Sequence, residues 1–177
     1  MRRLTLLSAL IAPLFMIAAC GGSDTPAETS AEAAYTPTPI THINEDFSPE
    51  DDPVADLAEA MELAQAEGKY ILMDVGGEWC SWCHLIDAYI ETNQPTHEAF
   101  ACAFVVLKVN YSDENENQEF LSAYPERQGY PHFFVLDAQG ELVASQGTGE
   151  LEEGRGYNEE ATVSYTHLRA HETLDNL

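Results

Sequence analysis

Two cysteines three residues apart, Cys80 and Cys83, carry the reactive potential of this 177-residue chain. They lie in "GGEWCSWCH", with Trp79 and Trp82 each directly before a cysteine and His84 directly after the second. Three chemistries use this spacing. A dithiol can cycle to a disulfide and back. A haem can be attached through both sulfurs, since Cys-x-x-Cys-His is the attachment motif of c-type haem. A metal can take two thiolates and an imidazole, here with His97 or Cys102 completing a zinc set. No methionine follows Met73, so a downstream axial methionine for a haem is excluded. No second ligand pair stands at zinc-knuckle spacing, and Cys102, in "EAFACAFVV", is expected to be a small buried hydrophobe.

The flanking elements decide how the cysteines are held. "YILMDV" before them is a short apolar run of strand length, and Trp82, Leu85, Ile86, Tyr89 and Ile90 after them recur at helical spacing. The dithiol therefore falls where a strand hands over to a helix. Unpaired amides and the macrodipole at a helix N-terminus favour an anion, which assists loss of the first thiol proton. Cys80, at the exposed helix start, is the expected nucleophile, and Cys83, inside the first turn, the resolving thiol. His84 is expected on the helix surface, where it modulates the thiolate. Upstream, "SPEDDPVADLAEAMELAQAEGK" reads as an amphipathic helix through Val54, Leu57, Met61 and Ala64, stopped at Gly68. Downstream, "FVVLKVN" reads as a buried strand, "NENQEFLSAY" as a helix, and "PHFFVLD", "AQG" and "ELVASQ" as strand, turn, strand. The order is α-β-α-β-α-β-β, an α/β fold with a central mixed sheet covered by helices.

These landmarks resemble the thioredoxin superfamily over residues 50 to 150. "ILMDVGGEWCSWC" looks like that family's strand, acidic residue and Trp-Cys-x-x-Cys run. The resemblance implies a buried carboxylate at Asp74, six residues before Cys80, and a neighbouring lysine at Lys108. It also implies a cis proline opposite the dithiol at Pro131, preceded by Tyr130. Trp79, Trp82 and Tyr130 are then expected to line the substrate surface. The chain is closest to bacterial thioredoxin-like proteins with Trp-Cys-x-x-Cys-His. The same resemblance implies that no cofactor is needed, since the cysteines carry the electrons. A thioredoxin-fold binding module without turnover is a further alternative, opposed by the intact dithiol.

The two ends read differently from the middle. Arg2, Arg3 and the apolar "LTLLSALIAPLFMIAA" form a signal segment over residues 1–19, too short and too lightly flanked for a comfortable membrane span. Its ending, Ile17-Ala18-Ala19-Cys20, resembles the bacterial lipoprotein signal, which implies export and a lipid anchor on Cys20, with the outer membrane favoured. Residues 20–47 are rich in Ser, Thr, Ala, Pro and acids and are expected to be a disordered acidic tether. A flexible chain of that length spans roughly 30 Å. The thioredoxin-like domain is expected over residues 48–162. Residues 163–177, beginning "VSYTHLRAHET", match a translated synthetic sequencing adapter. They are expected to be an artefact that truncates or replaces the last helix of the fold and leaves a face of the sheet under-covered.

Charge narrows the partners. Of 31 acidic residues only Glu172 and Asp175 lie outside residues 20–162, and of seven basic ones only Arg2, Arg3 and Arg169 do. That segment thus holds 29 acids against Lys69, Lys108, Arg127 and Arg155, a formal charge of −25. Such a surface repels nucleic acid. The expected partners are protein thiols and disulfides, a membrane-bound electron donor or acceptor, and the membrane itself through the anchor.

Overall fold

A computed structural model of the chain describes residues 36–171, and the sheet at its centre is built as the apolar runs dictate. In chain order the elements are β1 (Thr41–His42), α1 (Pro53–Glu67), β2 (Tyr70–Gly76), α2 (Ser81–Thr92), α3 (Gln94–Ala103) and β3 (Phe104–Asn110). After them come α4 (Gln118–Leu121), β4 (His132–Leu136), β5 (Leu142–Gly147), β6 (Glu152–Glu153), β7 (Gly156–Tyr157) and α5 (Glu159–His171). The main sheet runs β1-β3-β2-β4-β5. β1, β2 and β3 are parallel, and β4 and β5 join antiparallel, so the sheet is mixed.

The two-residue period of β2 and β3 divides the core. Ile71, Met73 and Val75 of β2 point with Val105, Leu107 and Val109 of β3 to the face covered by α1. Leu72 and Val106 point to the other face, against Ile86, Ile90 and Phe100 of α2 and α3. Asp74 and Lys108 are register partners, as are Gly76 and Asn110, and by alternation all four belong to this second face. The chemistry-bearing positions are thus delivered beneath α2 by strand period alone.

α1 ends as its sequence predicts: Gly68 takes a left-handed conformation (φ 67°) and Asp52 caps the start through Val54 and Ala55 N–H groups. Ala64 faces the core as expected, with Leu57 and Met61 packed at its edge, but Ala60 joins it while Val54 lies 64 % exposed. The helix predicted over "NENQEFLSAY" shrinks to the single turn of α4. Asn110, Ser112, Asn115 and Asn117 instead tie this stretch into a side-chain-bonded loop.

Three further differences have physical causes. The tether expected to run to residue 47 ends earlier. Ile40 and Phe47 are buried, and residues 41–42 pair with Val105 and Val106 as an added parallel edge strand. Two apolar side chains in an otherwise polar stretch were too sparse to show a period. α3 was not expected. It opens where Asn93 caps the amide of Thr96, with Pro95 in its first turn, and Phe100 anchors it to Phe104 of β3. Cys102, near its end, is exposed and is not a core residue.

The last helix is present among the described residues. α5 packs on α3, and its buried positions are Thr162, Tyr165 and Thr166. Tyr165 lies against Phe133 of β4 at 6.4 Å between ring centroids. The two threonine hydroxyls donate to carbonyls of their own helix, Thr162 to Asn158 and Thr166 to Val163, so the polar seam is satisfied. The face expected to be under-covered is therefore partly filled, over residues 159–166, by one aromatic and two self-bonded threonines. Residues 172–177 and residues 1–35, which hold the expected signal segment and Cys20, lie outside the described residues. Among the described residues no helix is long and apolar enough to cross a membrane.

Candidate active site

β2 ends in Gly76, and the turn that follows must lift the chain onto α2 without filling the space beneath it. A side-chain carbon on Gly76 would lie 2.6 Å from the Cys83 sulfur and 3.2 Å from the Phe47 ring. One on Gly77 would lie 2.4 Å from the Trp79 indole nitrogen. Both positions need glycine for close approach, not for a special backbone angle. The turn closes with Cys80 N–H donating to Gly77 C=O at 2.9 Å.

Cys80 is the N-cap of α2, and its sulfur accepts the Cys83 N–H at 3.1 Å. The two cysteines form a disulfide, with Cα atoms 5.3 Å apart. The sequence places Cys80 at an exposed helix start, but the structure leaves it only 4 % accessible, against 0 % for Cys83. The reason is tertiary: Phe47, Trp82 and Tyr130 close around the pair. The order of accessibility still favours Cys80.

Opposite the disulfide, the Tyr130–Pro131 peptide is cis. The Pro131 carbonyl is held by the buried Thr148 hydroxyl at 2.9 Å. Trp79 is 59 % exposed. Its indole N–H donates to Tyr111 C=O at 2.7 Å, its ring meets Tyr130 edge-on, and Tyr130 stacks on Tyr111. The cis-proline loop also borders an open groove of about 530 Å³, lined by Tyr130, Pro131, His132, Thr148, Glu150 and Glu152. Trp82 is turned the other way. It is half-buried and packs edge-on against Tyr157, whose hydroxyl donates to the Trp82 carbonyl. Of the three expected substrate-facing aromatics, Trp79 and Tyr130 share one surface and Trp82 serves the β6–β7 hairpin.

Asp74 is 2 % exposed, one strand period behind Gly76 on the α2 face. Its Oδ1 has no hydrogen-bond partner among the described residues. Burial pushes its carboxyl well above the usual carboxylate range; Asp87 adds to the rise and Lys108 opposes it. Lys108 stands beside Asp74 in register, but its ammonium bonds Asp87 at 2.7 Å. Lys108 neighbours Asp74 as expected, and Asp87 joins them as a third group that takes the direct ion pair. Asp87 escaped the sequence reading, although it lies four residues after Cys83 and so on the same helix face. A cavity of about 160 Å³ opens beside the three, lined also by His42, Glu45 and Glu91. It exceeds the roughly 10–15 Å³ needed to admit a water beside Asp74.

The other motif residues fall into place around this core. His84 is on the helix surface, its Nε2 2.9 Å from Glu78 C=O and 3.5 Å from a Glu78 carboxylate oxygen. His97 lies on α3 with its Nε2 3.0 Å from Thr38 C=O, engaged away from the dithiol. Among the described residues no three His, Cys, Asp or Glu side chains group as a metal site. The Cys-x-x-Cys-His run therefore sits on a mixed-sheet scaffold with its sulfurs joined to each other, the arrangement of disulfide chemistry.

Comparison with known proteins agrees with this geometry. A family profile described as thioredoxin-like matches residues 52–138. Thiol:disulfide interchange protein DsbD of Actinobacillus pleuropneumoniae is 31 % identical over 107 residues, 59 % of this chain and 18 % of that protein. DsbD of a Pseudomonas species is 29 % identical over 150 residues, 80 % of this chain and 25 % of that protein. This chain thus spans a quarter or less of these relatives. A solved disulphide isomerase from Xylella fastidiosa superposes with a TM-score of 0.60 at 23 % identity, covering 71 % of this chain and 96 % of that one. The oxidised DsbD C-terminal domain of Neisseria meningitidis gives 0.51 at 19 % identity, covering 67 % and 96 %. With the mixed sheet, the disulfide at the start of α2 and the cis Tyr130–Pro131 peptide whose tyrosine packs on it, the chain has a thioredoxin-like fold, and its residues 52–138 match the thioredoxin-like family.

Proposed function

We propose that this protein is an exported, lipid-anchored thiol–disulfide oxidoreductase that exchanges disulfides with protein substrates through Cys80 and Cys83. The observation that carries the reading is the disulfide at the α2 N-cap, facing a cis proline, with a buried carboxylate behind it. In the reducing direction, the Cys80 thiolate attacks a substrate disulfide. One Cys80–substrate S–S bond forms, the substrate S–S bond breaks, and its other sulfur leaves with the electron pair. Cys83 then loses its proton toward Asp74 and attacks the Cys80 sulfur, closing the intramolecular disulfide and releasing the second substrate thiolate. The oxidising direction runs these steps backwards, with Asp74 returning a proton to Cys83. Trp79, Tyr130 and the groove beside Pro131 receive the substrate segment. Lys108, through Asp87, tunes the charge felt by Asp74.

A membrane-bound electron donor or acceptor resets the dithiol, and the thiol:disulfide interchange named for the relatives supports the exchange chemistry itself. Purified protein should catalyse disulfide exchange with a model protein disulfide, and equilibration against glutathione gives its potential. A value near about −270 mV assigns a reductase, and one at or above about −180 mV an oxidase or isomerase. Failure to exchange with any disulfide would refute the reading.

The anchor rests on the sequence of residues 1–20, in particular Ala18-Ala19-Cys20 followed by glycine. Cys20→Ala should release the protein from membranes into the soluble fraction while the dithiol activity is retained. Unchanged membrane fractionation would remove Cys20 as the attachment point.

A further inference from the structure

Phe47 reaches the dithiol from the wrong end of the chain. Ile43 N–H donates to Val106 C=O at 2.9 Å. Asn44 then brackets Lys108, accepting its N–H at 2.8 Å and donating to its C=O at 3.0 Å. Beyond Phe47, Asn115 holds the Pro49 carbonyl at 2.9 Å. Between these fixed points the Phe47 N–H donates to a Glu78 carboxylate oxygen at 2.9 Å, and the Lys108 ammonium lies 4.9 Å from the centre of the Phe47 ring. The ring is 1 % exposed and packs in one cluster with both cysteines. Its edge and the Cys83 sulfur share the hollow left by the missing side chain of Gly76.

Cys83 is thus covered from a direction that neither its own helix nor the cis-proline loop supplies. An apolar ring beside a sulfur disfavours the thiolate there and bars an incoming reagent. We propose that Phe47, latched by Glu78, is the positioning residue that confines exchange with outside sulfurs to Cys80 by shielding Cys83. The proposal rests on Cys80 and Cys83 being an exchanging pair. When an external thiolate meets the oxidised site, it attacks the Cys80 sulfur, the new S–S bond forms there, and the electron pair of the broken bond leaves on Cys83.

The test uses the full chain, reduced, with iodoacetamide as the probe and peptide mass spectrometry reading each sulfur separately. In a Cys80→Ser background, Phe47→Ala should speed alkylation of Cys83 by about tenfold or more, since exposure and thiolate fraction both rise. In a Cys83→Ser background the same change should accelerate Cys80 alkylation several-fold less, because Trp82 and Tyr130 still pack around it and the α2 N-terminus that favours its thiolate is untouched. Phe47→Leu should restore slow alkylation of Cys83. Glu78→Ala, which removes the latch and the Glu78 carboxylate beside His84 but keeps the ring, should give the same selectivity with a smaller increase, and it decides the matter if Phe47→Ala fails to fold. No acceleration at Cys83 in the folded variants overturns the proposal. So does equal acceleration at both cysteines, which would mark Phe47 as general packing. Alkylation needs no protein substrate, so a chain inactive toward disulfides would refute the proposed function without altering this result.

Discussion

Cys80→Ser should abolish disulfide exchange, while Cys83→Ser should hold substrates as stable mixed disulfides on Cys80. The asymmetry follows from the site's construction. Cys80 caps α2, so its sulfur already accepts a backbone N–H, and the same N–H is available to the thiolate after reduction. Cys83 is inaccessible and can act only on a disulfide that Cys80 has brought to it. Without Cys83 the mixed disulfide has no neighbour to resolve it, and release depends on slow attack by external thiols. Non-reducing electrophoresis after incubating the reduced variant with a disulfide-bonded protein substrate checks this. Trapping through Cys83 in the Cys80→Ser variant, at a rate comparable to that of Cys80, would reverse the assigned roles.

Asp74→Asn should make the oxidised protein more stable and the enzyme slower. The carboxyl is buried, its Oδ1 is unbonded among the described residues, and its nearest cation is committed to Asp87. Its folded pKa is raised above the unfolded value. A raised pKa means that the stabilising contribution is complete below the unfolded pKa and lost as pH rises through the folded pKa. The variant should therefore match the wild type near pH 4, with the gap opening as pH rises above the ordinary carboxylate range, to on the order of 2 kcal/mol at alkaline pH. Urea unfolding at acidic, neutral and alkaline pH gives the comparison. The kinetic cost is loss of the group proposed to take the Cys83 proton, which should slow resolution on the order of 100-fold. A uniform stability change at every pH would show that Asp74 acts by shape alone.

Most of the scaffold was legible because it is written in short-range patterns. β2, β3, β4 and β5 are near-continuous apolar runs bounded by turn residues, and α1 and α2 carry helical spacing and, at Gly68, a stop signal. The cysteines were found by type and spacing, and Asp74, Lys108 and Pro131 by the family resemblance of the runs that hold them. Where the pattern was weak the reading failed. The segment "NENQEFLSAY" scores as helix by propensity, but its asparagines bond to the loop backbone and leave only one turn. β1 is two residues long and exists only because β3 offers an open edge. The polar buried face of α5, with Tyr165 between threonines, has no aliphatic stripe to announce it.

By itself the sequence determined the dithiol, its place between a strand and a helix, the acidic residue behind it and the proline after it. All of these are set by residue identity and local spacing, which the chain carries wherever it goes. Only the tertiary structure decided what each group meets. It turned Lys108 to Asp87 rather than to Asp74, joined Trp79 and Tyr130 while sending Trp82 to Tyr157, and drew Phe47 over Cys83. Those outcomes depend on which elements share a face once the sheet is assembled. Burial then raises the Asp74 pKa and closes Cys80 to 4 % exposure, effects of surroundings contributed by residues up to sixty positions away in sequence.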